Sequence, residues 1–375
     1  MLRRSFFKTG FFTAVGLAAS LTAPGLAADS KEEAKKAPKV EVVFVLDTTG
    51  SMGGLLAGAK QKIWSVCNQI VSGKPTPDLK VGLVAFRDRG DEYITKVTDL
   101  TEDLDAIHAE LKTFKAAGGG DIPESVNEAL HVAVNKIKWS TDDDTLRIMF
   151  LVGDAPPHMD YKDDVKYPET CKKACEKGII INTIQCGTDA ECTKYWKDIC
   201  GKAEGSFVAI AQDGGVVAIA TPFDKRLAEI NGELASSTVA YGRMEQQRAV
   251  KEKAAEAGAL PAPAAADRAA FNAKKDSNGV GDLLDAVKQN KVKLEDLKNE
   301  ELPEELKKLD LKEQKEYLDK LDKKRCDLQK EAKELDQKRT EYITKEQEKS
   351  KAKAGFDGQV LEILRKQAKK VKIDY

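Results

Sequence analysis

The sequence predicts an α/β fold, a doubly wound, mostly parallel sheet followed by an α-helical C-terminal region. Three observations predict it. Between residues 40 and 211, apolar runs rich in β-branched residues alternate with stretches of helical apolar spacing, the pattern of a sheet with helices on both faces. Two runs, 40–46 and 146–152, are almost continuously apolar, as expected of strands buried on both sides. After about residue 221 the composition turns to Lys, Glu, Leu and Ala, which suits helices rather than strands.

In chain order, residues 1–28 stand apart. Arg3, Arg4 and Lys8 begin them, 11–21 is an apolar stretch, and Ala27 and Ala28 offer a small-residue cleavage site. This is a secretory signal pattern. The Arg3-Arg4-Ser5-Phe6-Phe7-Lys8 stretch resembles a twin-arginine export signal, with Leu2 where a polar residue is usual. Pro24 interrupts an apolar run already short for a membrane anchor. Residues 29–38 read as a polar linker and 39–220 as the main domain. Within that domain, 40–46 is a strand, 55–70 a helix and 79–86 a strand. A polar turn at 87–92 leads to its hairpin partner at 93–100. Then come a helix at 104–114, a small-residue loop at 116–120, a helix at 123–137 and a central strand at 146–152. A loop at 153–164 precedes a helix at 169–177, a strand at 179–186, a helix at 192–202 and a last strand at 206–211.

Beyond the sheet, 221–253 reads as a helical extension, 254–267 as an Ala/Pro linker and 268–375 as a charged helical region. Leu321, Leu328, Leu335 and Tyr342 recur at heptad spacing, but Arg325 and Arg339 interrupt the companion stripe. A coiled coil, with self-association through these helices, and a solvated helix both fit. Residues 356–364 form an amphipathic patch suited to docking on a neighbour.

With 61 basic and 62 acidic residues the net charge is −1, which excludes a general nucleic-acid binder. Six of the seven cysteines, Cys67, Cys171, Cys175, Cys186, Cys192 and Cys200, precede residue 201. For an exported chain they read as disulfide partners or buried thiols, with Cys67 in the core. Their spacings lack a Cys-x-x-Cys pair and a nearby His, which disfavours zinc. Cys326 stands alone in the charged tail.

The chemistry concentrates where the first strand ends. Asp47, Thr49 and Ser51 place an oxygen at every second position, with Gly50 between the last two. One carboxylate and two hydroxyls facing a common point suit a hard cation, Mg²⁺ or Mn²⁺. This Asp-x-Thr-x-Ser pattern resembles the metal-ion-dependent adhesion site (MIDAS) of von Willebrand factor A (VWA) domains. The resemblance covers roughly 39–220 and implies a Rossmann-like sheet and cation-dependent protein binding. It makes Asp154, after the strand 146–152, the second acid. Its third loop falls at 117–124, where the family often has Thr and this chain offers Asp121. Asp121 and Glu124 also have capping-box spacing for the helix that follows. A third carboxylate on the ion would make the site negative and weaken its attraction for a partner's acid. His158 lies near Asp154 in sequence, and Arg89-Gly90-Asp91 reads as a charged hairpin tip.

No nucleophile elbow, zinc-protease helix or phosphate loop is present in the sequence. The expected function is therefore an exported, periplasmic or cell-surface, non-enzymatic module. A divalent metal would bridge the top of its sheet to an acidic group of a protein partner. The alternative is an envelope scaffold acting through its helical tail, with the metal only structural. A metal-assisted hydrolase is a further rival, with His158 as its only nearby neutral base.

Overall fold

A computed structural model describes residues 37–216, 219–350 and 355–375. The signal-peptide reading and most of the 29–38 linker lie outside the described residues. Six strands form one sheet: β1 (Lys39–Asp47), β2 (Asp78–Phe86), β3 (Thr95–Thr101), β4 (Thr145–Gly153), β5 (Ile179–Cys186) and β6 (Phe207–Ile210). Their spatial order is β3-β2-β1-β4-β5-β6. All pairs are parallel except β2 with β3, which are joined by the expected hairpin. The chain winds outward in one direction from β1 and in the other from β4, so the order reverses between these two strands. Ligands of such sheets bind beyond the strand carboxyl ends at this switch point. Asp47 ends β1 and Asp154 follows β4, both at the switch.

Side chains alternate across the pleat. Val42, Phe44 and Leu46 face one layer with α1 (Gly53–Ile70) and α2 (Leu104–Thr113), while Val43 and Val45 face α3 (Val126–Asn135), α4 (Tyr167–Glu176) and α5 (Ala190–Lys202). This is the doubly wound arrangement expected.

The C-terminal part differs from expectation in two places. The Ala/Pro stretch 254–267 is not a linker. It spans the end of α7 (Met244–Gly258) and the start of α8 (Ala262–Lys274), after α6 (Asp224–Ser236). Alanine is the strongest helix former, Pro263 sits in the first helical turn where its missing N–H costs nothing, and Ala265, Ala266, Ala269, Ala270 and Ala273 are buried. Small side chains let α8 run close against α1 and α6.

After the short helix α9 (Leu283–Lys288), α10 (Leu311–Ser350) is a long helix, but its heptad stripe is spent within the chain. Leu328 and Leu335 join a core with Leu227, Ile230 and the α8 alanines; Leu321 joins a second cluster with Leu283 and Leu302; the Tyr342 ring meets Phe223. The two interrupting arginines are buried ion pairs. Arg325 donates to both Asp282 oxygens at 2.8 Å, and Arg339 donates to Asp224 and Asp267 at 2.6 Å.

The amphipathic patch, within α11 (Phe356–Ala368), docks on the chain's own sheet. Phe356 packs 6.1 Å from Phe44, itself stacked on Phe150. Val360, Leu364 and Ile373 complete that layer, and the Asn182 and Gln367 amides exchange hydrogen bonds at 3.1 and 2.8 Å. Residues 37–375 therefore form one compact unit, and the tail is no separate arm. Among the described residues no helix is long and apolar enough to cross a membrane.

Candidate metal centre

The centre begins with the turn after β1. The buried Asp47 carboxylate accepts at Oδ1 from the Thr49 amide at 2.8 Å and the Thr49 hydroxyl at 2.7 Å, and Thr49 Oγ1 lies 3.4 Å from Ser51 Oγ. Its other oxygen, Oδ2, is buried with no hydrogen-bond partner. The loop holds its shape through neighbours. Thr48 donates its hydroxyl to the Phe86 carbonyl at 2.9 Å, Gly50 N–H donates to Gly118, and Ala117 N–H donates to Thr48. The glycine-rich loop thus hangs directly over the Asp-x-Thr-x-Ser turn.

At the end of β4, a Cβ on Gly153 would fall 2.9 Å from the Asp47 Cβ and 3.2 Å from Trp196. Glycine here lets the first acid seat between the strand ends. Asp154 follows. It accepts from Gln212 at 2.6 Å, and its charge bears on Asp47.

The third loop brings in an acid that the sequence did not nominate. Gly118 and Gly119 adopt φ of 79° and 82°, a region open to glycine. The resulting turn lays Glu124 beneath Gly119. A Cβ on Gly119 would meet Glu124 Oε1 at 3.2 Å and Thr49 Cβ at 3.5 Å. Glu124 is buried and its Oε2 has no hydrogen-bond partner. It is placed by backbone bonding: its N–H donates to Pro156 and its carbonyl accepts from His158. The capping-box reading fails for this reason. α3 starts at Val126 behind Ser125, no side chain caps it, and the Glu124 carboxyl turns inward.

Both inward acids are held against ionisation. Burial pushes Asp47 up to about 7, with the Thr49 hydrogen bonds opposing and the Asp154 charge adding. Burial, then the charges of Asp47, Asp88, Asp91 and Asp154, push Glu124 up to about 9. Among the described residues neither has an ion-pair partner. Two buried carboxylates, each with an orphan oxygen, beside two hydroxyls are a donor set that fits a divalent cation.

Asp121 has neighbours of its own. Its largely exposed carboxylate groups with Asp88 and His158. His158 is not a surface histidine, since it is buried against Tyr161. The Arg-Gly-Asp tip is used internally. Arg89 donates to Asp163 at 2.9 Å and Asp164 at 2.5 Å and lies over the Tyr161 ring, while Asp91 accepts from Gly119 N–H. All seven cysteines carry free thiols, with only Cys175 and Cys326 exposed. Sequence reasoning missed Glu124 and Asp88. Glu124 carried one available signal, its place four residues beyond the Gly-Gly-Gly run and directly after Pro123, and Asp88 was hidden in a polar turn.

Residues 41–221 match the family model described as von Willebrand factor A domain. Human von Willebrand factor A domain-containing protein 7 is 36% identical over 120 residues, covering 32% of this chain and 12% of that protein. A bovine N-acetyltaurine hydrolase is 31% identical over 97 residues, 25% of this chain and 26% of that protein. The chain thus spans a minor part of the length of these curated relatives. Among solved structures, the SpRpn10 VWA domain aligns with 47% of this chain and 89% of its own at 14% identity and a TM-score of 0.36. The chain therefore carries a von Willebrand factor A domain at residues 41–221.

Proposed function

We propose that this domain is a cation-dependent protein-binding module, without enzymatic activity, that works outside the cytoplasm after export. The observation that carries the reading is the pair of buried orphan oxygens, Asp47 Oδ2 and Glu124 Oε2, beside the Thr49 and Ser51 hydroxyls. Asp47, Thr49, Ser51 and Glu124 would hold Mg²⁺ or Mn²⁺, with Asp154 acting from the β4 end through its charge. The ion supplies a Lewis-acidic position for a partner's carboxylate. Two inward carboxylates balance a divalent charge, and Asp121, grouped with Asp88 and His158, does not add a third. The attraction for an acidic partner is then retained.

The surroundings suit a protein ligand. Gly50 and Ser51 are exposed, and the exposed Ile122 and Met159 lie on the loops that carry Asp121 and His158. An acidic anchor flanked by apolar contact is a common interface composition. Export rests on the sequence pattern of residues 1–28 alone.

The test is calorimetric titration of Mg²⁺ and Mn²⁺ into the chelated chain, beside Asp47→Ala and Asp121→Ala. Binding retained in Asp121→Ala and lost in Asp47→Ala is expected. Absence of binding in the wild type removes the cation bridge and leaves the scaffold reading. Deleting residues 268–375 cannot distinguish the two, because Phe356, Val360 and Leu364 belong to the sheet's core.

A further inference from the structure

We propose that Asp88, Asp121 and His158 form a second cation site, distinct from the Asp47 centre and suited to a borderline transition ion of the Zn²⁺ class. One ligand atom from each lies within 4.8 Å of the others. His158 Nε2 sits 3.3 Å from Asp88 Oδ2 and 3.7 Å from Asp121 Oδ2. This nitrogen is buried and makes no hydrogen bond.

The imidazole is oriented as a ligand. Asp160 Oδ1 lies 2.7 Å from Nδ1 and is placed to accept the Nδ1 proton; in the neutral ring the Nε2 lone pair then faces the two carboxylates. A carboxylate behind a metal-binding histidine fixes tautomer and ring direction in this way. The ring is also clamped by stacking on Tyr161 at a centroid distance of 4.0 Å, and Asn127 holds the His158 carbonyl at 2.6 Å. Asp88 is equally fixed. It accepts from Ser125 Oγ at 2.7 Å through Oδ1 and from the Tyr161 hydroxyl at 2.8 Å through Oδ2, which retains a further lone pair. A lone pair and two carboxylates aimed at one point repel one another unless a proton or a metal cation lies between them, and a metal cation satisfies all three donors at once. The exposed Asp121 provides the route in.

The donor set decides the ion. Two carboxylates neutralise a divalent charge, and an imidazole nitrogen favours Zn²⁺ over Mg²⁺, which prefers oxygen. The Asp47 centre offers only oxygens, so the two sites should sort different ions.

The test titrates Zn²⁺ into the chelated full chain, following heat and the ¹⁵N signal of His158 Nε2. Wild type, Asp47→Ala, Asp121→Asn and His158→Gln are compared. Asp121 is exposed, so its variant keeps the experiment decisive even if His158→Gln misfolds. Zn²⁺ binding retained in Asp47→Ala, weakened at least about tenfold in Asp121→Asn, and accompanied by a shift of the His158 Nε2 signal supports the site. The proposal is overturned by any of four results: no Zn²⁺ binding, binding unaffected by Asp121→Asn, binding lost in Asp47→Ala, or a His158 that stays doubly protonated with Zn²⁺ present. Loss of Mg²⁺ binding in Asp47→Ala bears only on the other centre.

Discussion

Replacing Asp47 by Asn is expected to stabilise the metal-free protein at neutral pH while abolishing its response to Mg²⁺. The Asp47 carboxyl is buried, and its pKa rises from an ordinary 3.8 to about 7 in the fold. The metal-free folded state therefore keeps a proton that the unfolded chain has released across that interval. The stability this group contributes is complete below about pH 4 and is lost as pH rises through about 7. At about 1.4 kcal/mol per pH unit, the whole interval is worth about 4 kcal/mol. Asparagine keeps the oxygen that accepts from Thr49 and carries no charge, so it escapes the loss. The assay is urea denaturation of both proteins at several pH values from 5 to 8, in chelator and in excess Mg²⁺. In chelator, the stability difference between Asp47→Asn and wild type should grow with pH toward a few kcal/mol in favour of the variant. In Mg²⁺ the wild type should recover and the variant should not. A difference that stays flat with pH, or a variant that gains as much from Mg²⁺ as the wild type, would refute the burial argument.

Three other substitutions test the seat of Asp47 and the packing of the C-terminal part. Gly153→Ala puts a methyl 2.9 Å from the Asp47 Cβ; overpacking of this kind costs about 1–3 kcal/mol, and Mg²⁺ affinity should fall with it in calorimetry. Phe356→Ala empties a fully buried site against Phe44 and should lower unfolding free energy by about 3–5 kcal/mol, although it lies far along the chain from the domain it supports. Arg325→Ala leaves Asp282 buried without its bidentate partner and should cost about 3–5 kcal/mol in denaturation; replacing Arg325 and Asp282 together by apolar residues should cost clearly less.

The sheet was legible because its signals are local. The continuous apolar runs of β1 and β4 announce strands buried on both faces, and the Asp-x-Thr-x-Ser turn carries its own hydrogen bonds within a few residues. Asp47, Thr49 and Ser51 could be nominated from their spacing at a strand end, and Asp154 from the family resemblance at the end of the central strand. Glu124 and Asp121 could not be sorted from the sequence. Which acid turns inward depends on the positive-φ turn at Gly118 and Gly119 and on backbone pairing with Pro156 and His158. Asp88 meets His158 across seventy residues, a contact no spacing encodes.

The same division runs through the C-terminal half. Helical periodicity in residues 311–350 was readable, but its partners were not. An arginine breaking an apolar stripe reads as a solvated position, and only the acids of α6, α8 and the α9 turn make Arg325 and Arg339 buried ion pairs. Alanine at 264–273 has the composition of a linker and the burial of a core. The sequence by itself determined the strands, the first ligand turn and the amphipathic faces, because periodicity and hydrogen bonding act over a few residues. Only the tertiary structure decided which acid turns inward and that α11 closes the sheet, because burial and charge balance depend on groups far apart in the chain.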